Sequence, residues 1–176
     1  MSEKLPCRTV DMTFFDECKN CFEATVEVNA SAAAIFDCFE DADAWPKWAG
    51  PIQRVEWTSP KPFGVGTTRN VHMSGNLVGY EVFIAWQRGE RMAFCFTHAS
   101  SSVFEAFAED YQVTPLPEGG CKVTWRMAME NKGVSAMLMP VTGIFMRMML
   151  KHWLKNFPNG VSHDLMTFFR RMNTIG

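Results

Sequence analysis

The feature that most constrains this fold is a long stretch of alternating apolar and polar residues, interrupted by short turns. After Gly133 the spacing of the apolar residues changes from alternation to a helical period. Segments of this kind predict strands, and turns such as Ser74-Gly-Asn76 and Arg88-Gly-Glu90 are short enough to pair neighbouring strands antiparallel. The strands predicted in this stretch are Gln53–Thr58, Thr67–Ser74, Val78–Arg88, Arg91–His98, Phe104–Thr114 and Lys122–Glu130.

Helices are predicted on both sides of this stretch. An alternating strand, Phe22–Val28, is followed by a helix over Ala32–Phe39 and by a second short helix around Trp45–Trp48. Helical periodicity returns over Met137–Arg171, and Pro158 is expected to bend or break this last helix because it lacks a backbone donor. An antiparallel sheet with segregated helices is an α+β arrangement.

Length and charge narrow the class of protein. A chain of 176 residues predicts one domain, which we place at 22–176 after an N-terminal arm at 1–21. The net charge of −2 gives no reason to expect a nucleic-acid partner. The apolar run Gly143–Leu150 is short and contains Arg147, so no stable membrane insertion is expected. A homodimer is compatible with the sequence.

The cysteines indicate a compartment rather than a metal site. Six cysteines are scattered along a chain whose first 21 residues lack the apolar segment of a signal peptide, so we expect free thiols and a cytoplasmic location. Cys18 and Cys21 have the spacing of a zinc-binding pair, but no second pair follows. Gly64-Val-Gly66 is interpreted as a turn because no helix follows it. We therefore expect neither a metal nor a cofactor.

The order of these elements resembles a known group of proteins. The resemblance rests on Val28–Ser31 with Ile35-Phe36, Asp43–Trp48, Gly64–Thr67, Gly120–Trp125, and Gly160-Val161 before Asp164-Leu165. In this order the segments resemble the START-like, or helix-grip, superfamily, and within it the polyketide cyclase/dehydratase and lipid-transport proteins. The resemblance implies a strongly curved antiparallel sheet of about seven strands wrapped around the long C-terminal helix, with a cavity between them.

Strand parity and helical spacing select the residues expected to bind a ligand in that cavity. Cavities of this kind are mostly apolar with a few polar groups, and this chain has 15 Phe, 6 Trp and 13 Met to line one. The expected ligand-binding residues are Trp57, Arg69, Val71, Met73, Tyr80, Val82, Phe94, Phe96, Tyr111, Trp125, Met127, Phe145 and Met149.

A few polar residues are candidates for more specific roles. Arg69 shares parity with Val71 and could anchor a carboxylate or phosphate, or lie on the convex surface. Glu105 and Glu109 share parity with Tyr111 and could transfer protons from an apolar wall, unless a bulge turns them outward. His98 ends a strand, where it could act at the cavity rim or be solvated.

Three functions follow from the sequence and the resemblance. The first is a carrier or sensor that binds a hydrophobic or aromatic small molecule, lipid-like, quinone-like or polyketide-like. The second is an enzyme, a polyketide cyclase/dehydratase-like lyase or isomerase, in which cavity groups move protons. The third is a protein-interaction module. Two or more polar groups converging inside would favour the enzyme, one or none the carrier, and a filled interior the interaction module.

Overall fold

The computed structural model describes residues 3–133 and 145–157. The strands are β1 (Leu5–Pro6), β2 (Cys21–Val28), β3 (Ile52–Trp57), β4 (Thr68–Met73), β5 (Leu77–Gln87), β6 (Arg91–Ala99), β7 (Phe104–Pro115) and β8 (Cys121–Asn131). The helices are α1 (Phe14–Glu17), α2 (Ala32–Glu40), α3 (Trp45–Trp48) and α4 (145–157), with a 3-10 turn at Ser74–Asn76.

The sheet is a curled antiparallel half-barrel, which confirms the predicted fold class. In the described part of the chain the strand order is β2-β8-β7-β6-β5-β4-β3, with β1 paired to the end of β6. All of these pairings are antiparallel, with register shifts between Tyr80 and Glu81, between Phe83 and Ala85, and between Phe104 and Ala106. Bulges of this kind increase local twist and help a sheet to curl.

One face of the sheet, called the inner face below, packs against α2, α3 and α4. The helix α2 begins at Ser31, whose hydroxyl accepts a hydrogen bond from the Ala34 backbone N–H at 3.2 Å. Its large apolar side chains, Ile35, Phe36 and Phe39, have no exposed surface. The helix α3 has Pro46 in its first turn, where the missing donor costs nothing.

The other face, the outer face, is covered by the N-terminal arm. Phe14 and Phe15 of α1 are buried against small residues of the sheet, including Ala93, Cys95 and Ala108. The backbone N–H groups of Cys7 and Arg8 also donate to β6 and β7, at 2.9 and 2.7 Å. The described part of the arm, residues 3–20, therefore packs on the sheet.

The helix α4 lies across the inner face. Leu150, Leu154 and Phe157 are buried there, while Phe145 and Met148 are exposed. No helix in the described ranges has the length and apolarity needed to span a bilayer. The bend predicted at Pro158 lies outside the described residues.

Candidate functional site

Arg69 is the most unusual side chain of the inner face. It lies near the start of β4, opposite Glu81 of β5, and only 1% of its surface is exposed. Its Nε donates a hydrogen bond to Glu81 Oε2 at 2.5 Å, which forms a buried ion pair. Glu81 is 4% exposed, so both partners have lost their hydration. Such a pair is retained only where its geometry is favourable.

Aromatic rings surround the Arg69 guanidinium. Its central carbon lies 4.1 Å from the Trp45 ring centroid and 4.7 Å from that of Phe94. Phe83 and Trp57 lie slightly further away, at 5.2 and 5.3 Å. These rings attract the cation through their π faces but offer no hydrogen-bond acceptor lone pair. Nη1 and Nη2 consequently have no hydrogen-bond partner among the described residues.

A second polar pair, Glu109 and Tyr111 of β7, lies within electrostatic reach of the first. The Tyr111 hydroxyl donates to Glu109 Oε2 at 2.7 Å, and both residues are buried. Burial, with a smaller contribution from Glu81, raises the pKa of Glu109 to about 8. Burial also raises the pKa of Glu81 to about 7, although Arg69 opposes this shift. Near neutral pH this cluster therefore retains a proton that solvated carboxyls would release.

Two indole N–H groups complete the polar part of the cluster. Trp48 Nε1 and Trp125 Nε1 are buried without a hydrogen-bond partner among the described residues. The Trp125 N–H is near enough to Glu109 to lower its pKa slightly, yet it does not reach hydrogen-bonding geometry. By contrast, the indoles of Trp45 and Trp57 donate to backbone carbonyls, at 2.9 and 3.1 Å.

Ring contacts join these groups into one cluster. Tyr111 stacks on Trp125 with centroids 5.4 Å apart, and Trp48 meets both rings edge-on. Phe157 of α4 closes the cluster, with its ring 4.9 Å from that of Trp48. We call Trp45, Trp48, Arg69, Glu81, Phe94, Glu109, Tyr111 and Trp125 the inner polar cluster. The buried side chains of α4, Leu150, Leu154 and Phe157, pack over this cluster.

The open grooves of the described surface lie elsewhere. One, of about 380 Å³, lies beside the N-terminal arm, and another, of about 670 Å³, lies between the β5–β6 turn and the end of β7. Neither is lined by the inner polar cluster. Both are open to solvent, so neither desolvates a ligand as a binding cavity does.

Most residues predicted to line the cavity do lie on the inner face. The apolar ones belong to the hydrophobic core that the inner face forms with α2, α3 and α4. Arg69 belongs to the inner polar cluster. The residues placed on the inner face as predicted are Trp57, Arg69, Val71, Met73, Phe94, Phe96, Tyr111, Trp125 and Met127.

The predicted inner position of Tyr80 and Val82 is wrong. Glu81, between them, faces Arg69, and therefore Tyr80 and Val82 point to the outer face. There Val82 packs beneath the N-terminal arm and Lys4 lies over the Tyr80 ring. Both faces of β5 are covered by other parts of the protein, so both carry apolar residues. The apolar pattern of the strand therefore did not show which face is the inner face.

The two glutamates predicted to act in proton transfer are separated by a bulge. Glu109 faces inward beside Tyr111, as predicted. The register shift between Phe104 and Ala106 turns Glu105 outward, where its side chain is 44% exposed and lies 3.5 Å from Lys132 Nζ. The sequence left open a bulge near Ala106–Ala108 that would turn both glutamates outward; the bulge lies slightly earlier and turns only Glu105. His98 lies beside Tyr80 on the outer face, which excludes the rim position and leaves the alternative of a histidine outside the cavity.

The predicted ligand-facing side of the last helix is also wrong in part. Phe145 is 61% exposed and Met149 is half-buried. The residues that face the sheet are Leu150, Leu154 and Phe157, about a third of a turn away. The helix is apolar on several sides, so the spacing of apolar residues alone did not show which side is buried against the sheet.

Sequence reasoning missed three members of the cluster. Glu81 was overlooked because its strand was assigned the opposite parity. Trp45 and Trp48 were assigned to a short helix but not to the site, although two fully buried tryptophans three residues apart form much of its wall. The sequence signal that could have identified Glu81 is the presence of an arginine and a glutamate on consecutive antiparallel strands, where the two side chains can pair.

No group of three or more His, Cys, Asp or Glu side chains in the described residues is arranged to hold an ion. Cys7, Cys18, Cys21, Cys95 and Cys121 carry free thiols. Burial raises the pKa of the Cys18 thiol, which reduces the fraction present as reactive thiolate.

Comparison with known proteins places this chain in a family. Residues 19–158 match the profile of the family described as polyketide cyclase / dehydrase and lipid transport. The chain belongs to this family. It is also 41% identical over 151 residues to proteins of Mycobacterium tuberculosis and Mycobacterium bovis whose names describe them as uncharacterized, covering 86% of this chain and 90% of theirs.

Solved structures support the same fold. A protein from Thermus thermophilus superposes with a TM-score of 0.67 at 15% identity, covering 82% of this chain and 98% of that one. A START superfamily protein from Mycobacterium smegmatis gives a TM-score of 0.61 at 19% identity, covering 81% and 97%. A major latex-like protein from Panax ginseng gives 0.53 at 14% identity, covering 75% and 96%. At these identities the similarity concerns the fold.

Proposed function

We propose that this protein binds an apolar or aromatic small molecule between the inner face of the sheet and α4, as a carrier or sensor. Family and fold support hydrophobic ligand binding or a polyketide cyclase-type activity. The observation that carries the proposal is the Arg69 guanidinium, buried among aromatic rings with two nitrogens unpaired. The five free thiols support a reducing, cytoplasmic site of action.

The unpaired donors give the site a reason to bind a ligand. A buried polar group without a partner costs about 1–3 kcal/mol, and a ligand that supplies an acceptor recovers this free energy on binding. Beyond the donors, the inner face is apolar, with Phe96, Phe107 and Met129 among its buried residues. A molecule with an apolar body and one polar end would match both regions.

Access to the site requires α4 to move. Leu154 and Phe157 fill the space above the inner polar cluster, so a ligand must displace them or shift the helix. A filled interior was the expectation for an interaction module. The buried unpaired guanidinium favours the ligand-binding proposal instead, because a partner docking on the outer surface would leave those donors unsatisfied.

The test is a ligand screen with matched helix variants. Quinones, aromatic ketones and fatty acids are added while melting temperature and tryptophan fluorescence are followed, since a ligand that binds only the folded state raises its stability. Trp48 and Trp125 should report occupancy. Leu154→Gln, which places an amide over the site, should abolish the response, whereas Met148→Gln on the exposed side of the same helix should not. No response to any compound would contradict ligand binding and favour the interaction module.

A second candidate function, proton transfer, rests on Glu109 and Tyr111. Their convergence with Arg69 and Glu81 is what was expected of an enzyme, but Arg69 and Glu81 pair with each other, which leaves Glu109 and Tyr111 as the candidate groups. A carboxyl with a raised pKa can give a proton to a carbonyl oxygen and recover it, as a cyclase or dehydratase-type lyase or isomerase requires. The measurement is hydrogen–deuterium exchange at the α-carbon of a bound aromatic 1,3-diketone. Glu109→Gln should slow this exchange by about a hundredfold or more without weakening binding. Equal exchange rates in both proteins would exclude this role for Glu109.

A further inference from the structure

We infer that the inner polar cluster selects uncharged carbonyl compounds and admits a carboxylate only together with a proton. This inference rests on the proposed ligand binding and adds the chemical class of the ligand. Two independent features carry it: the kind of polar atom that lacks a partner, and the balance of charged side chains on the inner face.

The first feature is that the unpaired polar atoms of the cluster are donors. They are Arg69 Nη1 and Nη2, Trp48 Nε1 and Trp125 Nε1, all buried. A ligand oxygen with lone pairs can accept from such groups, whereas an ammonium would face the guanidinium with donors on both sides. The donor arrangement therefore favours carbonyl or carboxylate oxygens and disfavours amines.

The second feature distinguishes a carbonyl from a carboxylate. Among residues 3–133 and 145–157, the charged groups facing this space are Arg69 from β4, Glu81 from β5, and Glu109 with its partner Tyr111 from β7. From α3 and β8 the groups are tryptophans, which do not titrate. The ionisable residues of α4, among them Lys151 and His152, are exposed.

Other buried charge lies outside this space. Asp110 is fully buried, but it faces the other way and accepts hydrogen bonds from Arg91 at 2.7 Å and from Arg126 at 3.0 Å. In the part of the chain that the structure describes, the inner face therefore holds one guanidinium and two carboxyls.

One guanidinium can neutralise one carboxylate. Arg69 already pairs with Glu81, and Glu109 interacts with a hydroxyl rather than with a cation. A bound carboxylate would add an uncompensated negative charge in a desolvated space, which is strongly unfavourable unless a proton accompanies it. A ketone, a quinone or a 1,3-diketone offers the same oxygen acceptor without that charge.

The test compares ligands of one shape. Naphthalene, 2-acetylnaphthalene, 2-naphthoate and 1-(2-naphthyl)ethylamine are titrated into the full chain by isothermal calorimetry between pH 6 and pH 8. Two buffers with different ionisation enthalpies give the number of protons taken up. The ketone should bind about tenfold more tightly than naphthalene, the gain expected for hydrogen bonds to a charged donor, with no proton uptake. At pH 8, above the pKa of Glu81 of about 7, the naphthoate should take up one proton, and its affinity should rise as the pH falls toward 7. The amine should bind no better than naphthalene.

Glu81→Gln provides the sharpest variant. It keeps an acceptor for Arg69 Nε but removes the negative charge, so the guanidinium becomes available to a ligand carboxylate. In this variant the naphthoate should bind at least as tightly as the ketone, without proton uptake. Glu105→Gln makes the same chemical change on the exposed side of β7 and should behave as the unmodified protein.

The outcomes separate this inference from the function on which it rests. If all four compounds bind equally, or if the naphthoate binds more tightly than the ketone at pH 8 in the unmodified protein, the inference is wrong and apolar binding stands. If Glu81→Gln leaves the preference and the proton uptake unchanged, the charge argument is wrong. If no compound binds, the proposed function fails, and the inference fails with it.

Discussion

At the residue scale, the buried pair of Arg69 and Glu81 links stability to recognition. Each of the two side chains would be strongly unfavourable here alone, and together they leave part of the guanidinium available. Arg69 lies over aromatic rings, so its contacts depend on a planar guanidinium, which a lysine would not supply.

Removing the arginine alone should lower the free energy of unfolding far more than replacing both partners of the pair. Arg69→Met leaves the Glu81 carboxylate buried without its partner, and we expect a loss of about 3–5 kcal/mol of unfolding free energy at pH 8. The double variant Arg69→Met with Glu81→Gln should lose much less. Urea unfolding measures both.

The control for this comparison is a solvent-exposed pair. Arg54 and Glu56 are 60% and 41% exposed, and Arg54→Met should cost less than about 1 kcal/mol. If Arg69→Met is no more destabilising than Arg54→Met, the buried pair has no energetic role.

Glu109 should make stability depend on pH in a defined direction. Its pKa is 4.5 when solvated and about 8 in the folded protein, so between these values the folded state holds a proton that the unfolded chain has released. Stability from this group is therefore complete below pH 4.5 and is lost as the pH rises toward 8. Glu109→Gln removes the titration, so its melting temperature relative to the unmodified protein should rise from pH 5 to pH 8.

The exposed Glu105 serves as the control for this titration. Glu105→Gln should show a melting temperature difference that is nearly constant over the same pH range. A constant difference for Glu109→Gln as well would mean that Glu109 titrates as a solvated carboxyl.

At the scale of elements, strand order was easier to predict than strand orientation. The predicted bounds of β2, α2, α3 and β8 agree with the structure to within one residue, because capping residues and tight turns are local signals. The orientation of β5 was not predictable in the same way. The N-terminal arm covers Val82 on one face while Phe83 is buried on the other, and that arm is remote in sequence.

A close approach between β5 and β6 should be sensitive to one methyl group. A Cβ at Gly79 would lie 2.6 Å from the ring of Phe96, which is itself held 4.4 Å from the Phe107 ring centroid. We expect Gly79→Ala to destabilise the fold by about 1–3 kcal/mol through overpacking.

Gly64→Ala is the matched comparison for the Gly79 variant. No atom lies within 4 Å of a Cβ there, so its effect in thermal or urea unfolding should be much smaller. Equal effects of the two substitutions would show that Phe96 moves aside without loss of stability.

At the scale of the whole molecule, the fold was predictable and the site only in part. Alternation, turns and the final helical period together specify an antiparallel sheet beside a helix. Tyr111 and Trp125 were also placed on the correct face, and for Arg69 and Glu109 the inner position was one of two alternatives. The assembly of Arg69 with Glu81 was not predictable, since it depends on registers set by bulges and on which face the arm covers.

The arm should contribute to stability without entering the binding site. Phe15 of α1 is only 3% exposed, on the side of the helix that faces the sheet. Phe15→Ala should lower the free energy of unfolding, measured in urea, by about 3–5 kcal/mol, as truncation of a buried aromatic residue does. Binding of 2-acetylnaphthalene to the folded fraction should be unchanged.

The exposed Phe145 provides the comparison for Phe15. Phe145→Ala removes a ring that is 61% exposed and should change stability by less than about 1 kcal/mol. Weaker ligand binding by the Phe15→Ala protein would show that the two faces of the sheet are coupled.

The N-terminal arm and α4 cover opposite faces of one sheet, so the helix can leave without opening the other side. In hydrogen-exchange terms, the molecule should contain two units of different opening free energy. Amides of β6, β7 and β8, held between neighbouring strands beneath the arm, should exchange only through global unfolding. Amides of 145–157 should exchange through a smaller opening that leaves the sheet intact. The rate of that opening would set an upper limit on how fast a ligand can enter.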